Sequence, residues 1–270
     1  MWSERQQAML REMGVRVWSL PAPAVVTATP APSLPAAVPK AAPAQLPATP
    51  TASRGGASPA PSAAAPLAPL RADVATLDWP ALQAAVAGCR ACELCDGRTQ
   101  TVFGIGHRQA HWMVVGEAPG EEEDEQGEPF VGASGQLLDR MLAALQLTRS
   151  TDGDAPPEQR VYIANTLKCR PPRNRNPSPQ EMLQCEPFLQ RQIELLRPRM
   201  ILAMGRFAVQ ALLRSEEPIG KLRGRVHRYQ GVPLVVTYHP AYLLRHLPEK
   251  ARAWDDLCLA AGVARGTTVA

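Results

Sequence analysis

The sequence predicts an α/β domain in which a mostly parallel sheet is covered by helices on both faces. Two observations carry this prediction. From His111 onward, short apolar runs alternate with segments whose apolar residues recur at helical spacing. Helix-start signals separate the two kinds of segment. The first run, His111–Gly116, is apolar and stopped by glycine, as suits a strand buried on both faces. Ser134 then caps a helix carrying Leu137, Leu138, Met141, Leu142 and Leu145 on one side. Arg160–Thr166 forms a second strand. Ser178-Pro179-Gln180-Glu181 is a capping box with proline at the first helical position, so a helix runs to about Leu196. Met200–Met204 is a third strand, Gly205 opens a short helix through Leu213, and Pro233–Thr237 is a fourth strand. A last helix places Trp254, Leu257, Cys258 and Ala261 on one face. Alternation of this kind implies parallel strands with crossover helices. Ligands of such sheets bind beyond the carboxyl ends of the strands. Glu117, Asn165, Gly205 and His239 each follow a strand directly and are expected around one crevice.

Composition divides the 270 residues into three parts. Residues 21–70 hold 13 prolines and 17 alanines, with side-chain charge only at Lys40 and Arg54. So few large apolar groups cannot offset the entropy of ordering, and a disordered, semi-extended Pro/Ala-rich linker is expected there. Residues 1–20 then form a separate peptide and residues 71–270 the compact domain. No Gly-X-Y period is present, which excludes collagen. No run of 18 apolar residues occurs, so no membrane span is expected. Met1–Leu10 contains Glu4 and Arg5 and lacks an apolar signal core, which argues against secretion. Of the net charge of +4, residues 1–70 contribute +3, so the domain is no general polycation. Its charges are instead sorted. Seven acids fall between Glu117 and Glu128, whereas Lys168, Arg170, Arg173 and Arg175 form an acid-free basic run. Lys221, Arg223, Arg225 and Arg228 form a second.

Six cysteines stand at 89, 92, 95, 169, 185 and 258. Cys89, Cys92 and Cys95 make two overlapping Cys-x-x-Cys pairs, and disulfides are improbable in a cytosolic chain. Thiolates two residues apart can chelate one metal centre from a tight turn, with two more from distant loops completing a set of four. On spacing alone, zinc, a [4Fe–4S] cluster and buried unligated thiols all stand open. Cys258 reads as a core residue of its helix, and Cys185 faces inward on the helix that Ser178 caps.

Several segments resemble one family. Gly116-Glu-Ala-Pro-Gly-Glu-Glu-Glu-Asp124, Gly127-Glu-Pro-Phe-Val-Gly132 and Gly135-Gln-Leu-Leu-Asp139 resemble the first motif of family 4 uracil-DNA glycosylases. Asn165-Thr-Leu-Lys-Cys-Arg-Pro-Pro172 and His239-Pro-Ala-Tyr-Leu-Leu-Arg245 resemble its later motifs. The resemblance runs from about Cys89 to Leu257. It implies a three-layer α/β/α fold on a four-stranded parallel sheet and a [4Fe–4S] cluster held by Cys89, Cys92, Cys169 and Cys185. Cys95 falls on a position that is usually not cysteine.

The implied activity is hydrolytic excision of uracil from DNA by a monofunctional glycosylase, which starts base excision repair. A glycosylase must first extrude the base. By resemblance, Phe130 stacks on uracil, Asn165 pairs with its polar edge, and His239 donates to the developing oxyanion. Glu117 is the expected carboxylate at the reacting centre. Related families place a water-positioning aspartate where this chain has Ala118, so water activation rests on Glu117, on backbone groups or on substrate phosphates. Glu123 is expected to crowd the C5 side of the base and exclude thymine. Lys168, Arg170, Arg173, Arg175 and Arg245 are expected on DNA phosphates, and Leu243 matches the wedge that fills the gap left by a flipped base. A related group that captures uracil-DNA covalently carries a histidine in its basic loop; Lys168–Gln180 has none, which favours turnover. Two competing possibilities are an iron–sulfur uracil-DNA binding protein with little turnover and a zinc-stabilised nucleic-acid adaptor.

At the other end, Ser3-Glu-Arg-Gln6 can start a short helix with Met9, Leu10 and Met13 on one side. Such a peptide is too short to be stable alone and folds onto a partner. Leu10-x-x-Met-Gly-Val-x-x-Trp18 resembles the peptide with which the psi subunit of the bacterial replicative polymerase binds the clamp loader. The expectation is a monomeric, cytoplasmic bacterial enzyme working at the nucleoid, tethered to the replication machinery through residues 1–20.

Overall fold

The computed structural model describes Glu12 and residues 73–266. Apart from Glu12, the peptide expected over residues 1–20 and the linker expected over residues 21–70 lie outside the described residues.

Six strands form one mixed sheet in the order β1-β3-β2-β4-β6-β5. Its centre is the expected parallel set: β2 (Trp112–Gly116), β3 (Val161–Asn165), β4 (Met200–Met204) and β6 (Val232–Thr237). The four-stranded count requires correction. Antiparallel β1 (Ile105–Gly106) and β5 (Val226–Tyr229) add an edge strand on each side. Both are short, and β5 carries His227 and Arg228, so neither shows the apolar run that marks a buried strand.

Every residue of β2, β3 and β4 is buried, and the side chains alternate between two cores. Trp112, Val114, Val161, Ile163, Met200 and Leu202 point to one face. There they meet Leu137, Leu138 and Met141 of α4 (Ala133–Ala144) and Trp254, Leu257 and Ala261 of α9 (Glu249–Ala264). Met113, Val115, Tyr162, Ala164, Ile201 and Ala203 point to the other. Leu189 and Ile193 of α5 (Pro179–Leu196) and Val209 and Leu212 of α6 (Arg206–Leu213) cover that side. This is the three-layer α/β/α arrangement, with period-2 alternation in the strands feeding two separate cores.

Helix α5 begins as expected. Ser178 Oγ accepts from Glu181 N and the Glu181 carboxylate accepts from Ser178 N, which closes the capping box. By contrast, α4 starts at Ala133 with Gly132 as its N-cap, so Ser134 lies inside the first turn. Before the sheet come α1 (Trp79–Ala87) and the short α2 (Leu94–Gly97), which were not expected. Between them they carry Val86, Cys89 and Leu94 to the α5 side of the molecule.

The chain leaves β2 for β3 on one side, then returns across the sheet to β4 on the other. The strand order therefore reverses between β2 and β4, and such sheets bind ligands beyond the carboxyl ends of the strands at that point. The segments that follow β2, β3, β4 and β6 meet there.

Candidate functional site

Gly116, the last residue of β2, is in register with Asn165, the last of β3. A β-carbon at Gly116 would overlap Asn165 Oδ1 and lie 2.6 Å from Phe130 Cζ, so glycine lets the carboxamide and the ring approach the same backbone point. Asn165 is only 2% exposed, and its Oδ1 has no hydrogen-bond partner. Burying an unpaired amide oxygen is costly.

The loop after β2 is tied to the loop after β3. The Glu117 carbonyl accepts from Leu167 N at 3.1 Å and from the Thr166 hydroxyl. Burial raises the pKa of the Glu117 carboxyl, and Arg206 at the start of α6 pulls it partly back. Ala118 packs against the small cluster of Leu94, Leu167 and Cys169 and offers no polar group.

Phe130 adopts a left-handed backbone, φ 57°, and is held there from two directions. Arg149 Nη1 donates to the carbonyls of Pro129 and Phe130, while its Nη2 bonds Asp139 on α4 at 2.9 Å. Gly135 closes the other side, since a β-carbon there would overlap the Phe130 carbonyl. Arg149 was missed by sequence reasoning: it sits in a loop 19 residues from Phe130, within no motif.

Glu123 lies in α3 (Glu121–Gln126) and does something other than expected. One carboxylate oxygen accepts from Gly120 N at 3.0 Å, and the other from Val131 N and Gly132 N at 3.0 and 3.3 Å. The carboxylate therefore clamps the Gly120 and Val131–Gly132 turns together. Its acceptor capacity is directed at backbone, not held free for a base.

His239 follows β6 and caps α8 (Pro240–Arg245), with Nδ1 accepting from Ala241 N at 3.2 Å. An accepting Nδ1 assigns the proton of the neutral ring to Nε2. Burial is the main cause that drives the His239 pKa down to about 4, with Arg245 adding to it and Glu123 opposing. The ring is thus a neutral donor near pH 7. It stacks on Phe130 with centroids 5.4 Å apart. Two rings enclosing a base need two contact distances, about 7 Å, so Phe130 and His239, 5.4 Å apart, leave no room for a base between them.

Lys168 requires the clearest correction. It is 1% exposed, and its ammonium donates to the Asn165 carbonyl at 2.9 Å and to Gln192 Oε1 at 2.7 Å. Gln192 in turn donates to the Phe103 carbonyl and the Tyr162 hydroxyl. A fully enclosed ammonium cannot meet DNA phosphate. Burial pulls its pKa down to about 8, with Cys185 and Cys169 opposing. The other basic residues differ among themselves. Arg175 is paired with Glu181, and Arg170 bonds Asn174 and Glu121, both at the protein surface. Arg173 and Arg245 are exposed. In the second basic run, Arg223 turns inward to Asp256 of α9.

Leu243 is also corrected. It is 0% exposed in the core under α8, whereas the neighbouring Leu244 and Leu247 are 40% and 51% exposed. A helical turn one residue on presents a different face.

Beneath the loop after β3, five thiols line one recess: Cys89, Cys92, Cys95, Cys169 and Cys185. Cys258 lies apart on α9. Arg98 Nη1 donates to Cys169 Sγ at 3.1 Å, and Lys168 N donates to Cys185 Sγ at 3.2 Å. Burial pushes Cys185 up to about 12 and also raises Cys169 and Cys92. No three His, Cys, Asp or Glu groups among the described residues are arranged around a single ion. The donor set nevertheless suits a group that binds several thiolates at once. The recess supplies soft sulfur ligands, apolar walls from Leu94, Leu167 and Phe188, and two cationic neighbours.

Residues 103–258 match the model of the uracil DNA glycosylase superfamily. The Type-4 uracil-DNA glycosylase of Archaeoglobus fulgidus is 41% identical over 167 residues, covering 59% of this chain and 79% of that protein. That of Pyrobaculum aerophilum is 40% identical over 193 residues, covering 68% and 93%. That of Thermotoga maritima is 40% identical over 166 residues, covering 61% and 82%. Among the described residues no helix is long and apolar enough to cross a membrane.

Lys168→Met keeps the stem and removes the ammonium, leaving the Asn165 carbonyl and Gln192 Oε1 without their donor. At about 1–3 kcal/mol for each buried group left unpaired, urea unfolding should show a loss of at least about 2 kcal/mol. His239 supplies a pH dependence. Its folded pKa lies below the ordinary 6.5, so between about pH 4 and 6.5 the unfolded chain binds the extra proton. The contribution is complete above pH 6.5 and is lost as pH falls toward 4, at up to about 1.4 kcal/mol per pH unit. His239→Phe should flatten the stability curve over that window, measured by denaturation at each pH.

Proposed function

The chain belongs to the uracil DNA glycosylase superfamily, and from that membership we propose how its residues excise uracil from DNA. The observation that carries the assignment of roles is the buried, unpartnered Oδ1 of Asn165, set beside a neutral His239 and a fixed Phe130. A carboxamide has both a donor and an acceptor, as does the polar edge of uracil. The flipped base stacks on Phe130 with that edge toward Asn165 and an oxygen toward the edge of the His239 ring.

Cleavage of the bond between the sugar C1′ and uracil N1 leaves positive charge on the sugar and negative charge on the base. His239 Nε2–H donates to the uracil oxygen that gains this charge. Because the ring is already neutral, the donor needs no deprotonation and does not transfer its proton. Removing one such donor typically lowers kcat by about 10²–10³. Water adds at C1′ from the opposite side and loses a proton, the departing uracil anion takes one up from solvent, and the products are free uracil and an abasic site. With Ala118 unable to hold that water, Glu117 takes it. Its half-buried carboxylate has a raised pKa, which makes it a better proton acceptor than an exposed one.

Glu123 acts by positioning the loop that carries Phe130, and exclusion of thymine follows from the clamped loop as a whole. Arg170, Arg173 and Arg245 meet phosphates. Arg175 joins them by leaving Glu181. Leu244 and Leu247, not Leu243, stand where an apolar side chain can enter the base stack. Cys89, Cys92, Cys169 and Cys185 hold a [4Fe–4S] cluster, which joins the segment before the sheet to the loop after β3. Its role here is structural, and no chemical step passes through it. Residues 1–20 serve as a tether to the clamp loader, and the enzyme works as a monomer at the bacterial nucleoid.

The test is release of uracil from a labelled oligonucleotide carrying one uracil, with a thymine control, using protein purified without oxygen. Many turnovers per enzyme on uracil and none on thymine are expected. A gel-stable complex without turnover would instead establish a uracil-DNA binding protein. In the same assay, Asn165→Ala and His239→Ala should each reduce cleavage by at least about 10² while DNA affinity changes little. Equal losses in both quantities would contradict the assigned roles. Arg173→Ala should weaken binding alike on all sequences and lower the slope of log affinity against log salt by about 1.

A further inference from the structure

Five thiols surround a recess that the proposed cluster would fill with four. Cys89, Cys92, Cys95, Cys169 and Cys185 all line it, so one is in excess. The surplus lies in the first segment. Cys169 and Cys185 come from separate elements, the loop after β3 and the middle of α5, and no other cysteine stands near either in sequence. Cys89, Cys92 and Cys95, however, recur every three residues, the first two in the turn before α2 and the third within it.

Cys92 is common to both Cys-x-x-Cys pairs. The backbone passes smoothly from one to the other, with Cys95 N bonded to the Cys92 carbonyl at 3.2 Å. Arg98, which donates to Cys169 Sγ, lines the same recess as Cys89, Cys92 and Cys95. Both outer thiols therefore share Cys92 as pair partner and face one recess with the same cation. They differ in surroundings. Cys89 packs with Val86 and Phe188, whereas Cys95 Sγ contacts the exposed Asp96 carboxylate at 3.4 Å.

Resting on the cluster assignment above, we propose that Cys95 is a reserve ligand, able to replace Cys89 beside an unchanged Cys92, Cys169 and Cys185. The exchange breaks one iron–thiolate bond and forms another. The proton given up by Cys95 is balanced by the one Cys89 takes up, and no electron is gained or lost. Cys92 has no substitute, because its loss leaves Cys89 and Cys95 with five residues between them and neither pair intact.

Iron per chain and visible thiolate-to-iron absorbance, measured on full-length protein purified without oxygen, test this independently of DNA cleavage. Native protein and Cys95→Ser should hold equal iron. Cys89→Ser should keep at least about half of it, with an altered absorbance envelope, while Cys89→Ser/Cys95→Ser and Cys92→Ser should each lose about tenfold or more. Iron-free or insoluble Cys89→Ser protein overturns the proposal, as does Cys95→Ser protein that loses its iron, since Cys95 would then be a resident ligand. Iron retained by Cys92→Ser overturns the shared-pair geometry. Native protein without iron removes the cluster assignment itself and is thereby told apart from failure of the reserve.

Discussion

Lys168 Nζ bonds the carbonyl of Asn165 and the side chain of Gln192, while its own backbone N–H points at Cys185 Sγ. One buried residue thus touches the end of β3 at Asn165, helix α5 and the thiol recess. An ammonium enclosed in protein is tolerable only with its donors satisfied. The carbonyl of Asn165 and the amide of Gln192 therefore cannot drift without exposing an uncompensated charge. The orientation of Asn165 depends on that constraint, and so does the path of the loop carrying Cys169. The aromatic wall and the carboxylate then assemble around Gly116, which is held in register with Asn165 by the parallel ladder.

The second consequence of this arrangement is a division of labour among charges that resemble one another in sequence. Lys168 and Arg173 belong to one basic run, yet one is enclosed and the other exposed. Glu121 and Glu123 belong to one acidic run. The first reaches Arg170 across the surface, and the second is bound by three backbone amides. The acidic loop after β2 is thereby fastened to the basic loop after β3.

The four central strands were legible because burial on both faces demands continuous apolar runs, as in Met200–Met204. Helix α5 was legible from its capping box. The edge strands were not: β1 has two residues, and β5 reads Val-His-Arg-Tyr with only Tyr229 buried. At the site, the ends of the apolar runs marked Glu117, Asn165 and His239, since the residues that follow parallel strands gather at one edge of the sheet. What a linear sequence hides is direction. Whether Leu243 or Leu244 faces solvent turns on one helical step of about 100°, and the bond from Arg149 to the Phe130 loop joins segments that no local pattern connects.

Phe130 sits in a backbone conformation that costs a side-chain-bearing residue roughly 1–2 kcal/mol, and Arg149, Glu123 and Gly135 keep it there. The same ordering could have been deferred until a base arrived, in which case every encounter with DNA would bear it. Here the cost falls once, on folding. In the role proposed for Phe130, a wall set in advance lowers the entropy lost on capture. On that proposal it also narrows the set of bases that can settle against it, and selectivity is a property of stiffness, reached before any substrate is met.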